Sequence, residues 1–379
     1  MSTSYENVKN WILNSGLVIS SPNDENYGAV HSFFDKKSGK FGFLYPEITG
    51  YAVSTFCFLH QLEKNDQYIQ LAKASSNWII GVFEKYGAII QGLDGENESR
   101  KNFAYSFDSA ICAKGLLDCF KLTKEDRFLV YAKQFIDWLQ KAITIHGTIF
   151  PFLDIKSNEF KESDEVWYKK SGCLHIKASI PFVQLYQITN DKIYLDSAIK
   201  ICNTYTRFQN KDGSFSLHEN IKTINLHTMA YALEGLLYIF HITKNQEYLQ
   251  SIEKALDWCV NQTDDDGSIE LWFNSKYKSK ALYPIAQIIR LMILLDKVHN
   301  NNKYLKQILK LKSFMISLQA ASSNQKINGG FYEEFYKSIF GWKKREKLNS
   351  WGSLFAIQAL YWFENFEKIT FEESISNLY

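Results

Sequence analysis

Proline is scarce in this chain, with five in 379 residues. Each proline removes a helical donor and crowds the preceding turn, so few prolines leave room for long unbroken helices. Nineteen glycines add few tight turns. An excess of one charge is also missing: 43 basic residues face 41 acidic ones, for a net charge of +2. No long basic run gives the electrostatic footprint of a nucleic-acid binder, and none is expected as a partner. The short cluster Lys343, Lys344, Arg345 and Lys347 reads as a solvated loop. No apolar stretch reaches the ~18 residues of a membrane span, so no integral membrane segment is expected. The opening Met-Ser-Thr-Ser-Tyr-Glu-Asn lacks the basic and apolar regions of a signal peptide. The six cysteines are dispersed rather than framed as disulfide pairs, and read as small core residues of a reducing compartment. A cytoplasmic location is the expectation.

Aromatic residues are plentiful: 28 Phe, 22 Tyr and 9 Trp. That is enough for a large core with rings left over, which suit either packing or a sugar-stacking cavity.

A polar turn followed by an aromatic recurs at Lys64–Tyr68, Lys124–Phe128, Asn190–Tyr194, Lys244–Tyr248 and Asn300–Tyr304. The aromatics are 60, 66, 54 and 56 residues apart. Ten residues on comes Trp78, Trp138, Trp258 or Phe314, and in the remaining repeat Tyr205 follows at eleven. Ten residues is close to three helical turns, so each pair shares one helix face. Before each turn lies a stretch apolar on nearly all sides, and the same pattern recurs once more near the end. These run at about Glu47–Glu63, Asp108–Lys121, His175–Ile188, His227–Ile242, Leu282–His299 and Trp351–Asn365. They read as inner helices, and the amphipathic stretches after the turns read as outer ones. Tyr5–Leu17 supplies an outer helix that would pack against the last inner one. The tally predicts an all-α chain, a single (α/α)6 toroid domain over residues 1–379, with six inner and six outer helices. The long returns from outer to inner helix, such as Gln209–Phe215, Gln262–Ile269 and Asn328–Glu334, would border the mouth of the ring.

Tyr45-Pro-Glu-Ile-Thr-Gly-Tyr51, Phe107-Asp-Ser-Ala-Ile-Cys-Ala-Lys-Gly-Leu-Leu117 and Leu226-His-Thr-Met-Ala-Tyr-Ala-Leu-Glu-Gly-Leu-Leu237 open inner helices. Asn328-Gly-Gly-Phe331 and Asn349-Ser-Trp-Gly-Ser-Leu-Phe-Ala-Ile-Gln-Ala-Leu360 follow late in the chain. In this order the motifs resemble the VpsJ-like polysaccharide biosynthesis proteins. More distantly they resemble the toroid glycan enzymes: unsaturated glucuronyl hydrolases, glucuronyl C5-epimerases and sugar 2-epimerases. The resemblance implies a role in making or trimming polysaccharide, with an oligo- or polysaccharide as partner. It names no reaction.

The candidate catalytic residues are Glu47, Asp108, His175 and His227, all in opening turns of inner helices. The positive end of the helix dipole favours ionised carboxylates and neutral imidazoles there, so the acids read as bases or sugar-hydroxyl anchors rather than proton donors, and the histidines as proton acceptors. Candidate substrate-binding residues are Tyr51, Tyr105, Lys177, Tyr231, Trp272, Arg290, Tyr332 and Trp351. Against these stand plainer readings: Asp108 as a helix cap, Glu47 as dipole compensation, the histidines as loop anchors and the tyrosines as core. Glu333 and Glu334 add carboxylates for a glycosidic pair. Cys173-Leu-His175 falls short of the three or four ligands that zinc wants, and no metal or cofactor is expected. Asp264-Asp-Asp266 sits in an Asp-Gly turn and reads as turn chemistry. The functional expectation is a hydrolase, lyase or epimerase acting on a glycan. The alternatives are a non-catalytic glycan-binding or assembly protein, and a terpenoid- or lanthipeptide-type cyclase. Oligomeric state stays open.

Overall fold

The computed structural model describes residues 3–93 and 97–379. Thirteen α-helices run through them: α1 Ser4–Asn14, α2 Pro46–Glu63, α3 Asp66–Tyr86, α4 Ser106–Thr123, α5 Asp126–Ala142, α6 Ser179–Thr189, α7 Lys192–Thr206, α8 Leu226–Thr243, α9 Gln246–Asn261, α10 Leu282–His299, α11 Leu305–Ser317, α12 Ser350–Glu364 and α13 Phe371–Ser376. The fold is the (α/α)6 toroid, with α2, α4, α6, α8, α10 and α12 inner and α3, α5, α7, α9, α11 and α1 outer. Its described residues fall into two compact units. One holds α2 to α7; the other holds α1 and α8 to α13.

The recurring polar turn is a paired capping device. The inner helices α2, α4, α6, α8 and α10 each end on a left-handed residue: Lys64, Lys124, Asn190, Lys244 and Asn300. That conformation costs roughly 1–2 kcal/mol outside glycine, and it turns the chain into the next helix within a few residues. Asn65, Asp191 and Asn245 then cap α3, α7 and α9, each accepting from a backbone N–H two residues on. Such caps are worth about 1 kcal/mol each and offset part of the strain at these three turns. The following aromatics are all buried. Tyr194 donates to Asp137 at 3.0 Å and Tyr304 to Asp257 at 2.7 Å, which ties successive outer helices together.

Burial separates the layers. In α8 every residue from Thr228 to Phe240 is buried, whereas α9 buries one stripe: Tyr248, Leu249, Ser251, Ile252, Ala255, Leu256, Trp258 and Cys259. In the second unit α1 packs on α12, with the Tyr5 and Tyr361 rings 5.8 Å apart. All six cysteines are free and buried.

Two features depart from the sequence reading. The return loops carry short antiparallel strands: Phe103–Tyr105 pairs with Phe152–Asp154, Phe33–Asp35 with Lys347–Asn349, and Glu334–Ser338 with both Gly341–Lys344 and Ser279–Ala281. The cluster of Lys343, Lys344, Arg345 and Lys347 therefore falls on and beside strands instead of in a plain loop. The third inner helix also starts later than expected. His175 lies in a 3-10 turn, Cys173–Ala178, and the α-helix begins at Ser179. Pro181 explains the change: it has no N–H to give the Lys177 carbonyl four residues back.

Candidate functional site

In the unit holding α2 to α7, two inner helices approach through glycine. A side-chain carbon on Gly50 would lie 3.0 Å from the Ile111 carbonyl, and one on Gly115 would lie 2.7 Å from the Gly50 carbonyl. Bare backbone at these positions lets α2 and α4 run close. Their opening turns then place Glu47 near Asp108. Pro46 occupies the first turn of α2, where a missing N–H costs nothing.

The two carboxyl groups interact. Burial and the neighbouring Glu47 push the Asp108 carboxyl well above its usual range. Burial raises Glu47 to about 7, while the Tyr45 hydroxyl and the Lys177 ammonium pull it back. The Tyr45 hydroxyl is within hydrogen-bonding reach of both acids. One hydroxyl proton can serve only one acid at a time, and Asp108 Oδ2 has no hydrogen-bond partner among the described residues. The expectation of ionised acids at these helix starts meets an opposing push from burial. Desolvation works against the dipole and pushes both carboxyls toward the protonated form. Asp108 is not a cap either, because Tyr105 holds that position on α4 without a side-chain bond.

Lys177 is wholly buried, its Nζ 4.9 Å from the centroid of the buried Tyr51 ring. Tyr105 is buried against Phe152 at 5.9 Å and Tyr168 at 5.7 Å. His175 behaves as a loop anchor: Nδ1 is in hydrogen-bonding contact with the Gly172 backbone, and the buried ring stacks on Tyr205 at 5.8 Å.

The other unit builds a second cluster. His227, in the first turn of α8, is partly exposed. Its ring lies 4.1 Å from that of Tyr231 and 4.5 Å from that of Tyr283, which in turn is 5.7 Å from Trp351. Nδ1 of His227 meets Gln287 Oε1 at 2.5 Å. Arg290, expected to reach substrate, is instead wholly buried, donating to Glu234 and Gln358. A guanidinium drawn out of water needs such a partner. Glu333 is partly buried and raised to about 7 by burial and by Glu334, whereas Glu334 is bound by Arg345 and Tyr277. Tyr332 accepts from Lys36 at 3.1 Å, and Lys344 sits 4.6 Å over its ring. Trp272 is partly exposed, paired with Asn225 in a two-residue strand. Asp264 and Asp266 bind Ser268 within their turn and Lys280 on the strand Ser279–Ala281.

Tyr45, Tyr283, Gln287 and Glu234 were not singled out by the sequence reading. Tyr45 was visible as the residue before Pro46 at a helix start, and Gln287 as the i−3 neighbour of Arg290. Among the described residues, no three of His, Cys, Asp and Glu are grouped to hold a metal. No helix among them is long and apolar enough to cross a membrane.

Residues 173–329 match the family model of the ulvan lyase N-terminal domain, which is under half of the chain. No curated protein sequence matches. Among solved structures, the chain is similar to a cellobiose 2-epimerase from Bacillus thermoamylovorans, at 13% identity and TM-score 0.75 over 96% of this chain and 98% of that one. It is similar to a D-mannose isomerase at 12% identity and TM-score 0.73, covering 96% and 97%. An unsaturated glucuronyl hydrolase specific for heparin follows at 12% identity and TM-score 0.72, covering 97% and 98%. At these identities the likeness establishes the fold.

Proposed function

We propose that the protein is an enzyme acting on an oligo- or polysaccharide, with Glu47 and Asp108 as its acid–base pair. The observation that carries this reading is the placement of two carboxyl groups beside each other in the opening turns of α2 and α4. Asp108 is buried and Glu47 partly buried, and both are pushed up from the usual carboxylate range, which favours holding a proton that a solvated pair would lose. In glycosidic cleavage one such acid gives its proton to the leaving oxygen, and the other takes one from the attacking water. Asp108, held higher, fits the proton donor; Glu47, near 7, fits the base. Hydrolysis is the first reading, and a role in polysaccharide building or trimming follows the VpsJ-like resemblance. A cytoplasmic site of action stays part of the proposal.

A second reading rests on His227. The lyase-domain match spans His175, His227 and Tyr231 but neither acid. An imidazole set among Tyr231 and Tyr283 offers the base and acid of a β-elimination or an epimerisation.

The test is a screen of the purified protein on uronic-acid and neutral oligosaccharides, read by mass. Hydrolysis adds water across the fragments, elimination splits the chain without it, and epimerisation in heavy water adds deuterium at constant length. Hydrolysis lost in Asp108→Asn and Glu47→Gln supports the first reading. Elimination or deuterium exchange that survives both and is lost in His227→Gln supports the second. Retained glycan binding with no turnover on any substrate would place the protein among glycan-binding components instead.

A further inference from the structure

We propose that Gln287 is a positioning residue that fixes the His227 imidazole as its Nδ1–H form, so that Nε2 is the ring nitrogen that takes up a proton. The direction of every link is set from the interior. Glu234 is wholly buried and receives Arg290 Nη2 at Oε1. A carboxylate only accepts. The Gln287 amide must therefore turn its NH2 toward Glu234 Oε2, where the distance is 3.2 Å. Its carbonyl oxygen then faces His227 Nδ1 at 2.5 Å. An amide oxygen also only accepts, so Nδ1 must bring the proton. In a neutral imidazole the other nitrogen holds the lone pair.

The far end is directed in the same way. Arg290 Nη1 donates to Gln358 Oε1 at 2.9 Å, and Gln358 Nε2 donates to the Asn377 carbonyl at 2.8 Å. That carbonyl cannot donate, so Gln358 has a single allowed orientation too. The Arg290 guanidinium rests 4.6 Å from the Phe355 ring, which limits its movement. At the near end the Tyr231 and Tyr283 rings flank the imidazole and oppose a ring flip. His227 is the partly exposed end of a chain whose other side chains are buried.

Catalytic use of Nε2 rests on the lyase or epimerase reading above. The tautomer is measured without substrate, so the two fail separately. The experiment is nitrogen-15 NMR of the histidine rings in the full-length protein at mildly alkaline pH, with the His227 signals assigned by their loss in His227→Gln. The expected spectrum couples a proton to Nδ1 and leaves Nε2 with the shift of an unprotonated nitrogen. In Gln287→Leu the acceptor is gone, and the proton is expected to redistribute toward Nε2. A wild-type ring protonated on Nε2, or on both nitrogens, overturns the proposal. So does a Gln287→Leu ring that keeps the wild-type signature. Where Gln287→Leu does not fold, the wild-type spectrum decides alone.

Discussion

Gly267 turns with φ of +84°, and a side-chain carbon at its α-position would lie 2.1 Å from the Lys310 carbonyl oxygen on α11. The same relationship recurs at Gly213 with Lys254 on α9, at 2.3 Å, and at Gly329 with Asn7 on α1, at 2.2 Å. Each of these three glycines therefore abuts the outer helix one hairpin further on, and the turn is also a packing contact. Gly267→Ala must pay for a left-handed alanine and for overlap with fixed backbone. A loss of at least about 2 kcal/mol is expected, read as a lower urea midpoint. An unchanged midpoint would mean that the loop stands away from α11.

Arg290→Met separates a structural guanidinium from a substrate-binding one. The ion pair with Glu234 is wholly buried, so removing one partner leaves an uncompensated charge and costs about 3–5 kcal/mol. Replacing both residues, as Glu234→Gln with Arg290→Met, should recover much of that loss. Chemical denaturation of the two variants checks the sign. A stable Arg290→Met protein with a raised KM would return Arg290 to the substrate.

Much of this architecture is legible in the sequence. The turns Lys64–Tyr68 and Asn190–Tyr194 repeat because a left-handed residue, a cap and a buried aromatic must each fall at a fixed offset, and that requirement writes itself into sequence. The strands were not legible, because segments such as Phe103–Tyr105 are three residues long and take their pairing from a partner some fifty residues away. The nearness of Glu47 and Asp108 could be guessed from equivalent helix starts. Its closeness depends on Gly50 and Gly115, whose packing role has no local signature. The upward push on both carboxyls is not legible in the sequence for a physical reason: a dipole worth up to about 1 kcal/mol on a surface is a small term against the desolvation of a buried carboxylate. Arg290 was misread because one cation in an apolar helix looks the same whether its partner is a ligand or Glu234.

Asp108→Asn keeps the shape and removes the proton chemistry. Turnover should fall roughly a hundred- to ten-thousandfold, the usual worth of a positioned acid or base. The melting temperature should hold or rise, since a buried acid that resists ionisation is being replaced by a neutral amide. A large drop in melting temperature with turnover retained would make Asp108 a structural residue.

Lys177 tests the electrostatics of the pair most directly. Its ammonium lowers the Glu47 carboxyl from where burial alone would put it. In Lys177→Met that restraint is gone, so Glu47 ionises at higher pH. The acidic limb of kcat/KM should move up by about one pH unit, within the range for a nearby opposite charge, and Lys177→Arg should move it back. Folding stability gives an independent sign. Glu47 ionises near 7 in the folded chain against an ordinary value of 4.5. The folded state therefore binds more protons between those values, and stability falls as pH rises through them. Wild-type protein should be more stable at the lower end of that window than above it. Glu47→Gln should flatten the decline in urea midpoints, while Lys177→Met should carry it to higher pH. Midpoints that rise with pH through the window, or that ignore Lys177, would show that the acid pair does not hold its proton.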